Sequence, residues 1–150
     1  MTTLETFQII GISARTTNEN GQAAIDIPAL WNRFFAEEIA SKINGKLSND
    51  LYCVYTDYEK DHTKPYTTLL GYKVESSVVV PEGLTGKTIG THIYDVKTAK
   101  GKMSEGFVFK AWQDIWASGM PRAYTADFEI YGAKAQDPAN AEVDIYIAIP

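Results

Sequence analysis

One cysteine and two histidines among 150 residues leave little from which to build a metal centre. Structural zinc needs about four such ligands, so no metal is expected. Cys53 has no partner for a disulfide and lies in an apolar strand pattern, which reads as a buried, inert thiol and a cytoplasmic address. No apolar run approaches the roughly 20 residues that a membrane span needs. Met1-Thr2-Thr3-Leu4-Glu5 lacks both the basic start and the apolar stretch of a secretory leader. Basic residues are also in deficit, 14 Lys and Arg against 19 Asp and Glu, for a net charge of −5. They are scattered along the chain, which argues against direct contact with nucleic acid. Only a few residues precede the first strand, too few for a helix-turn-helix. A nucleophile elbow, a P-loop, a dinucleotide fingerprint and a metalloprotease helix are all missing. No cofactor is expected.

Aromatic residues are what the chain has in quantity: 12%, including nine Tyr and three Trp. Such side chains combine a large apolar face with a polar handle and suit binding sites as well as cores. They recur in a pattern. Ala29-Leu30-Trp31-Asn32-Arg33-Phe34-Phe35 and Ala111-Trp112-Gln113-Asp114-Ile115-Trp116 each place bulky apolar residues three and four positions after a Trp, one face of a helix. Each is followed by an alternating segment with acidic-aromatic-acidic residues, Asp57-Tyr58-Glu59 and Asp127-Phe128-Glu129. The first helix is expected to open at Asp26-Ile27-Pro28 and stop at Gly45, the second to run from about Glu105 to Ala117. Strands are expected over residues 7–16, 51–58, 66–75, 87–96, 123–131 and 143–149, with a turn at 98–101. Each half then reads strand-helix-strand-strand, in a single domain of residues 1–150 with an internal repeat of about 1–77 and 84–150.

Carboxylates inside strands need a reason, because strands disfavour them. Asp57 and Asp127 fit the solvent face of a one-sided sheet equally well as a buried role. Glu129 is sharper: it sits mid-strand between Phe128 and Ile130, with Tyr131 on its own face. A carboxylate in aromatic surroundings pays a desolvation cost that a cationic ligand would offset, with cation–π attraction of about 0.5–2 kcal/mol per contact in addition. Trp31, Phe34, Trp112 and Trp116 read first as core, with the helix ends free to line a groove. His62, in Glu59-Lys60-Asp61-His62-Thr63-Lys64, reads as a solvated turn residue, and His92 as an exposed or satisfied strand residue.

Arg15-Thr16-Thr17-Asn18, Ile27-Pro28-Ala29-Leu30-Trp31, Tyr55-Thr56-Asp57-Tyr58-Glu59 and the run Tyr124 to Tyr131 resemble the GyrI-like small-molecule-binding domain, the effector-binding domain of certain AraC- and MerR-type regulators. The likeness spans essentially the whole chain and is nearest to the free-standing members, including those carried on mobile integron cassettes. It implies an α+β fold, with two pseudo-symmetric halves sharing a curved antiparallel sheet flanked by two helices. It also implies non-enzymatic binding of bulky hydrophobic cations in an aromatic cleft, with Glu129 as counter-charge and Tyr146 beside it. Tyr55, Trp112, Trp116 and Tyr131 complete the expected site. A role in transcription would need a protein partner carrying a DNA-binding domain. Two other functions compete: a hydrolase in which Glu129 and Tyr146 activate water, and haem binding with His92 as axial ligand.

Overall fold

The computed structural model describes residues 1–150. Alternating apolar and polar residues form eight strands: β1 (Thr2–Leu4), β2 (Phe7–Thr16), β3 (Lys46–Thr56), β4 (Tyr66–Val74), β5 (Thr85–Ile89), β6 (His92–Gly101), β7 (Ala126–Tyr131) and β8 (Ala141–Ala148). Helix α1 (Ala23–Ala36) separates β2 from β3, and α2 (Phe107–Ser118) separates β6 from β7. All strands join one antiparallel sheet in the order β1-β6-β8-β7-β3-β4-β2-β5. The fold is α+β, and its strand order reads alike from either edge. The unit β2-α1-β3-β4 meets the unit β6-α2-β7-β8 along the central pair β3–β7. Each unit also takes its edge strand from the other: β1 pairs with β6, and β5 with β2.

That exchange explains where the expected strand over 87–96 divides. The chain must leave the β2 edge and cross to the β1–β8 side, so it breaks at Gly90-Thr91 into β5 and β6. The expected turn at 98–101 is strand instead, because Thr98 to Gly101 pair with Asp144 to Ala141. Helix α1 starts earlier than its Pro suggests and holds Pro28 within it. It ends where Glu38 turns left-handed at φ 51, and Ile39 and Ile43 stay buried beyond it.

Curvature of the sheet has a local cause at Gly11 and Gly71, which face each other across β2 and β4. A Cβ on Gly11 would lie 1.9 Å from the Leu70 carbonyl oxygen, and one on Gly71 2.1 Å from that of Ile10. Only glycine permits so close a backbone approach, which is how sheets bend. The curled sheet buries both faces. On one, Ile10, Ile12, Cys53 and Leu70 pack under Leu30 and Phe34 of α1, while Ala99, Ile145 and Ile147 pack under Trp112 and Ile115 of α2. On the other, Phe7, Ile9, Val54, Leu69, Tyr94 and Phe128 pack against one another. Each fully buried aliphatic side chain stabilises by roughly 1.5–3 kcal/mol relative to exposure. Between the two helices, the centre of the sheet remains open.

Candidate ligand-binding site

Strand periodicity sends Asp127, Glu129 and Tyr131 of β7 to the helix side and Phe128 to the other. Glu129 is 2% exposed and is held by three donors. The Tyr55 hydroxyl donates to Oε2 at 2.9 Å, the Trp112 indole N–H to the same oxygen at 2.6 Å, and the Tyr131 hydroxyl to Oε1 at 2.7 Å. Burial pushes the Glu129 carboxyl above its usual pKa, and the three hydrogen bonds pull partly the other way. No Lys or Arg pairs with it.

Asp127, two residues earlier and fully buried, is in the opposite state. Arg122 donates to its Oδ2 at 2.7 Å as an ion pair buried on both sides, and the Tyr58 hydroxyl donates to the same oxygen at 2.6 Å. The Ala148 backbone N–H donates to Oδ1 at 2.7 Å. Asp127 is therefore no solvent-face residue, since its charge ties β7 to β8 and to the segment before β7. The Arg122 guanidinium lies 4.4 Å from the Tyr124 ring and 5.5 Å from the Trp112 ring. Tyr124 takes a left-handed backbone, φ 55, unusual for so bulky a residue. Asp57 lies just past the end of β3, also left-handed, exposed and paired with Lys87 at 2.7 Å.

Glu129 lies at the floor of a cavity of about 520 Å³ between α1 and α2, a volume that fits a drug-sized ligand. Ile27, Pro28 and Trp31 of α1 form one wall, and Val108, Phe109, Trp112 and Trp116 of α2 the other. Tyr55, Tyr58, Tyr66 and Tyr131 come from the strands and the loop that follows β3. The structure thus gathers Glu129, Tyr55, Trp112, Trp116 and Tyr131 at one cavity. Tyr146 is not there. It alternates with Ile145 and Ile147 on β8, so its ring projects from the opposite face of the sheet and stacks on Phe128, centroids 4.8 Å apart at 10°. A Glu129–Tyr146 pair for activating water is accordingly not assembled. His92 is also outside this cavity, with Nε2 2.9 Å from the Ile149 carbonyl oxygen.

Four cavity residues have roles that their sequence context hides. His62 is no solvated turn residue: its ring stacks on Trp116 at 5.2 Å and 4°, and Nδ1 lies 3.3 Å from the Tyr124 hydroxyl. Asn18 fastens the same loop, donating to the His62 carbonyl at 2.8 Å and accepting from Tyr66 at 2.6 Å. Burial, then the nearby Arg122 charge, lowers the pKa of His62. Trp31, assigned first to the core, meets Tyr131 edge-on at 4.9 Å and faces the cavity. The repeat carried the signal for it, since its counterpart Trp112 was already placed at the site. For Arg122 the signal was Asp127 itself, a strand carboxylate that needed a cation.

The geometry matches known proteins over the full length. The model of the Cass2 family, described as integron-associated effector binding protein, matches residues 1–149. The chain belongs to this family. Among curated proteins it is 28% identical over 153 residues to YobU of Bacillus subtilis (strain 168), whose role as a transcriptional regulator is itself provisional; the match covers 99% of this chain and 96% of YobU. The crystal structure of the integron cassette protein VCH_CASS2, from the mobile metagenome of Vibrio cholerae, is 27% identical with a TM-score of 0.75, covering 99% of this chain and 94% of that one. SAV2435, solved bound to tetraphenylphosphonium, shares the fold at a TM-score of 0.78 with 17% identity, covering 99% and 92%. The family is one of effector-binding proteins, and no helix of this member is long and apolar enough to cross a membrane.

Proposed function

We propose that this effector-binding protein takes up bulky hydrophobic cations in the cavity between α1 and α2, with Glu129 as the counter-charge. One observation carries the reading: two buried carboxylates stand two residues apart, and only Asp127 has a cationic partner. Leaving a buried ionised carboxylate without a counter-charge costs several kcal/mol. A ligand cation above Glu129 offsets that cost and draws further attraction from the Tyr and Trp rings around it. SAV2435, with tetraphenylphosphonium bound, supports this ligand chemistry by analogy of fold. The kinship to YobU supports a regulatory output, exerted through a protein partner that carries a DNA-binding domain. With a net charge of −5, the chain is itself a poor ligand for phosphate backbones.

Calorimetric titration with tetraphenylphosphonium and with neutral triphenylphosphine oxide tests the proposal. The cation binds and the neutral compound binds weakly or not at all. Glu129→Gln costs the cation about 2–5 kcal/mol of affinity, as expected for removing one member of a buried charge pair. Equal binding of the cation by wild type and Glu129→Gln overturns the assignment.

A further inference from the structure

The cavity is built twice around one point. Cys53 of β3 and Glu129 of β7 are direct cross-strand partners at the centre of the sheet. Tyr55 follows Cys53 by two residues and Tyr131 follows Glu129 by two, so both tyrosines lie on the helix face, one on either side of the pair. Both donate their hydroxyls to Glu129. Each tyrosine then meets the tryptophan of one helix edge-on: Trp112 on Tyr55 at 5.5 Å and 87°, Trp31 on Tyr131 at 4.9 Å and 79°. Ahead of each tryptophan, by four and three positions, come the residues that continue the wall. They are Ile27 and Pro28 on α1, and Val108 and Phe109 on α2. Strand order, pairing partner, tyrosine, tryptophan and helix wall all repeat about the Cys53–Glu129 pair.

At its centre the repeat is broken by the charge. Of the two central positions, one holds a carboxylate and the other a thiol, both buried. Beyond the inner walls the two sides differ as well. His62 and Trp116 close the α2 side with stacked rings, whereas Gly21, Ala23 and Ala24 leave the α1 side lined by small residues. The cavity is therefore two apolar half-sites that share one central anion.

We infer that the cavity selects cations whose charge lies midway between two comparable apolar arms, one arm seated on Trp31 and Tyr131, the other on Trp112 and Tyr55. This deepens the proposed function and rests on it. A cation with its charge at one end of a single chain can place that charge over Glu129, but it fills one half-site and leaves the other wet. A charge-centred cation fills both. Because Cys53 and Glu129 are equivalent within the repeat, a carboxylate at position 53 would face the same two tyrosines and serve the same ligand.

Calorimetry with two probes decides the matter: tetraphenylphosphonium, with its charge among four aryl groups, and dodecyltrimethylammonium below its micelle concentration, with its charge at one end. Ile27→Ala and Val108→Ala each trim one half-site without touching Glu129. Each is expected to weaken tetraphenylphosphonium about five- to tenfold, from the area lost per methylene group. For dodecyltrimethylammonium only one of the two has an effect. The transposed variant Cys53→Glu/Glu129→Cys is expected to bind tetraphenylphosphonium within about tenfold of wild type, while Glu129→Cys alone loses more than that. Urea melts verify that each variant folds, and if the transposed one does not, the two alanine variants decide alone. If tetraphenylphosphonium depends on Glu129 but ignores either alanine change, the two-armed inference is overturned and the proposed function stands. If its binding does not depend on Glu129, the proposed function fails first.

Discussion

Asp127 and Glu129 point to the same side of β7, and Arg122 neutralises the first while nothing in the chain neutralises the second. The two carboxylates should therefore answer mutation in opposite ways. Arg122→Met leaves Asp127 charged and buried, and is expected to cost about 3–5 kcal/mol in urea unfolding. Glu129→Gln removes an uncompensated charge and keeps the shape, so stability holds or rises. A Glu129→Gln variant that unfolds as readily as Arg122→Met would mean that Glu129 is structural.

The raised pKa of Glu129 gives the empty protein a pH signature. The folded state holds this proton more tightly than the unfolded chain does. Its contribution to stability is thus complete below the unfolded carboxyl pKa and is lost as pH rises through the folded value. Ligand binding runs the other way. A cation favours the ionised form, so affinity climbs with pH and levels off above the empty-site pKa. His62 lines the same cavity beside Arg122, and it would repel a cation when protonated. The measurement is therefore made in a His62→Gln background, where Glu129→Gln should abolish the remaining slope between roughly pH 4 and 8.

Tyr55 and Tyr131 stabilise the ionised form of Glu129 by donating to it. Removing either hydroxyl, as Tyr55→Phe or Tyr131→Phe, should move the midpoint of pH-dependent cation binding upward. The cost to saturated affinity is about 1.5–3 kcal/mol at most, the usual range for a hydrogen bond to a charged group. An unchanged midpoint in both variants would show that the tyrosines do not control the ionisation.

Tyr146 and Trp112 separate packing from binding. Tyr146→Leu disturbs the stack on Phe128 on the far face of the sheet. It should cost stability by about 0.5–1.5 kcal/mol beyond the lost area, with tetraphenylphosphonium affinity within about twofold of wild type, less than 0.5 kcal/mol. Trp112→Leu removes both a cavity wall and a donor to Glu129, and should weaken binding by more than about tenfold. Loss of binding in Tyr146→Leu at full stability would return Tyr146 to the site.

The residues that could be read from the sequence are those whose local pattern states their role. The Trp31 and Trp112 stripes gave two helices, and the alternation around Glu129 placed Tyr131 on its face. What stayed hidden depends on partners distant along the chain. Alternation shows that Tyr146 and Ile145 point apart, but only the register Glu129↔Ile145 shows which of them shares the face of Glu129. His62 looks polar among Lys60, Asp61 and Lys64, and Trp116 that buries it is contributed by the other half. The break at Gly90 follows from an exchange of edge strands, which no single window of residues contains.

The His62 loop supplies the last prediction. Between β3 and β4, it reaches over the cavity and is fastened by the Trp116 stack, the Tyr124 hydroxyl and the Asn18 side chain. Burial and the Arg122 charge hold the pKa of His62 below that of a free imidazole. The sign follows from linkage. A histidine with a depressed pKa contributes stability above its unfolded pKa, and that contribution is lost as pH falls through the folded value. In the open loop His62 is solvated and takes up a proton near pH 6.5, so acidification below about that value should favour opening. Amide exchange in residues 58–65, corrected for the intrinsic pH dependence of exchange, should lose protection as pH drops from about 7 to 5, while the β3–β7 pair stays protected. His62→Phe keeps the stack on Trp116 without the charge and should make the loop's protection independent of pH. If protection still falls with pH in His62→Phe, a group other than His62 controls the loop.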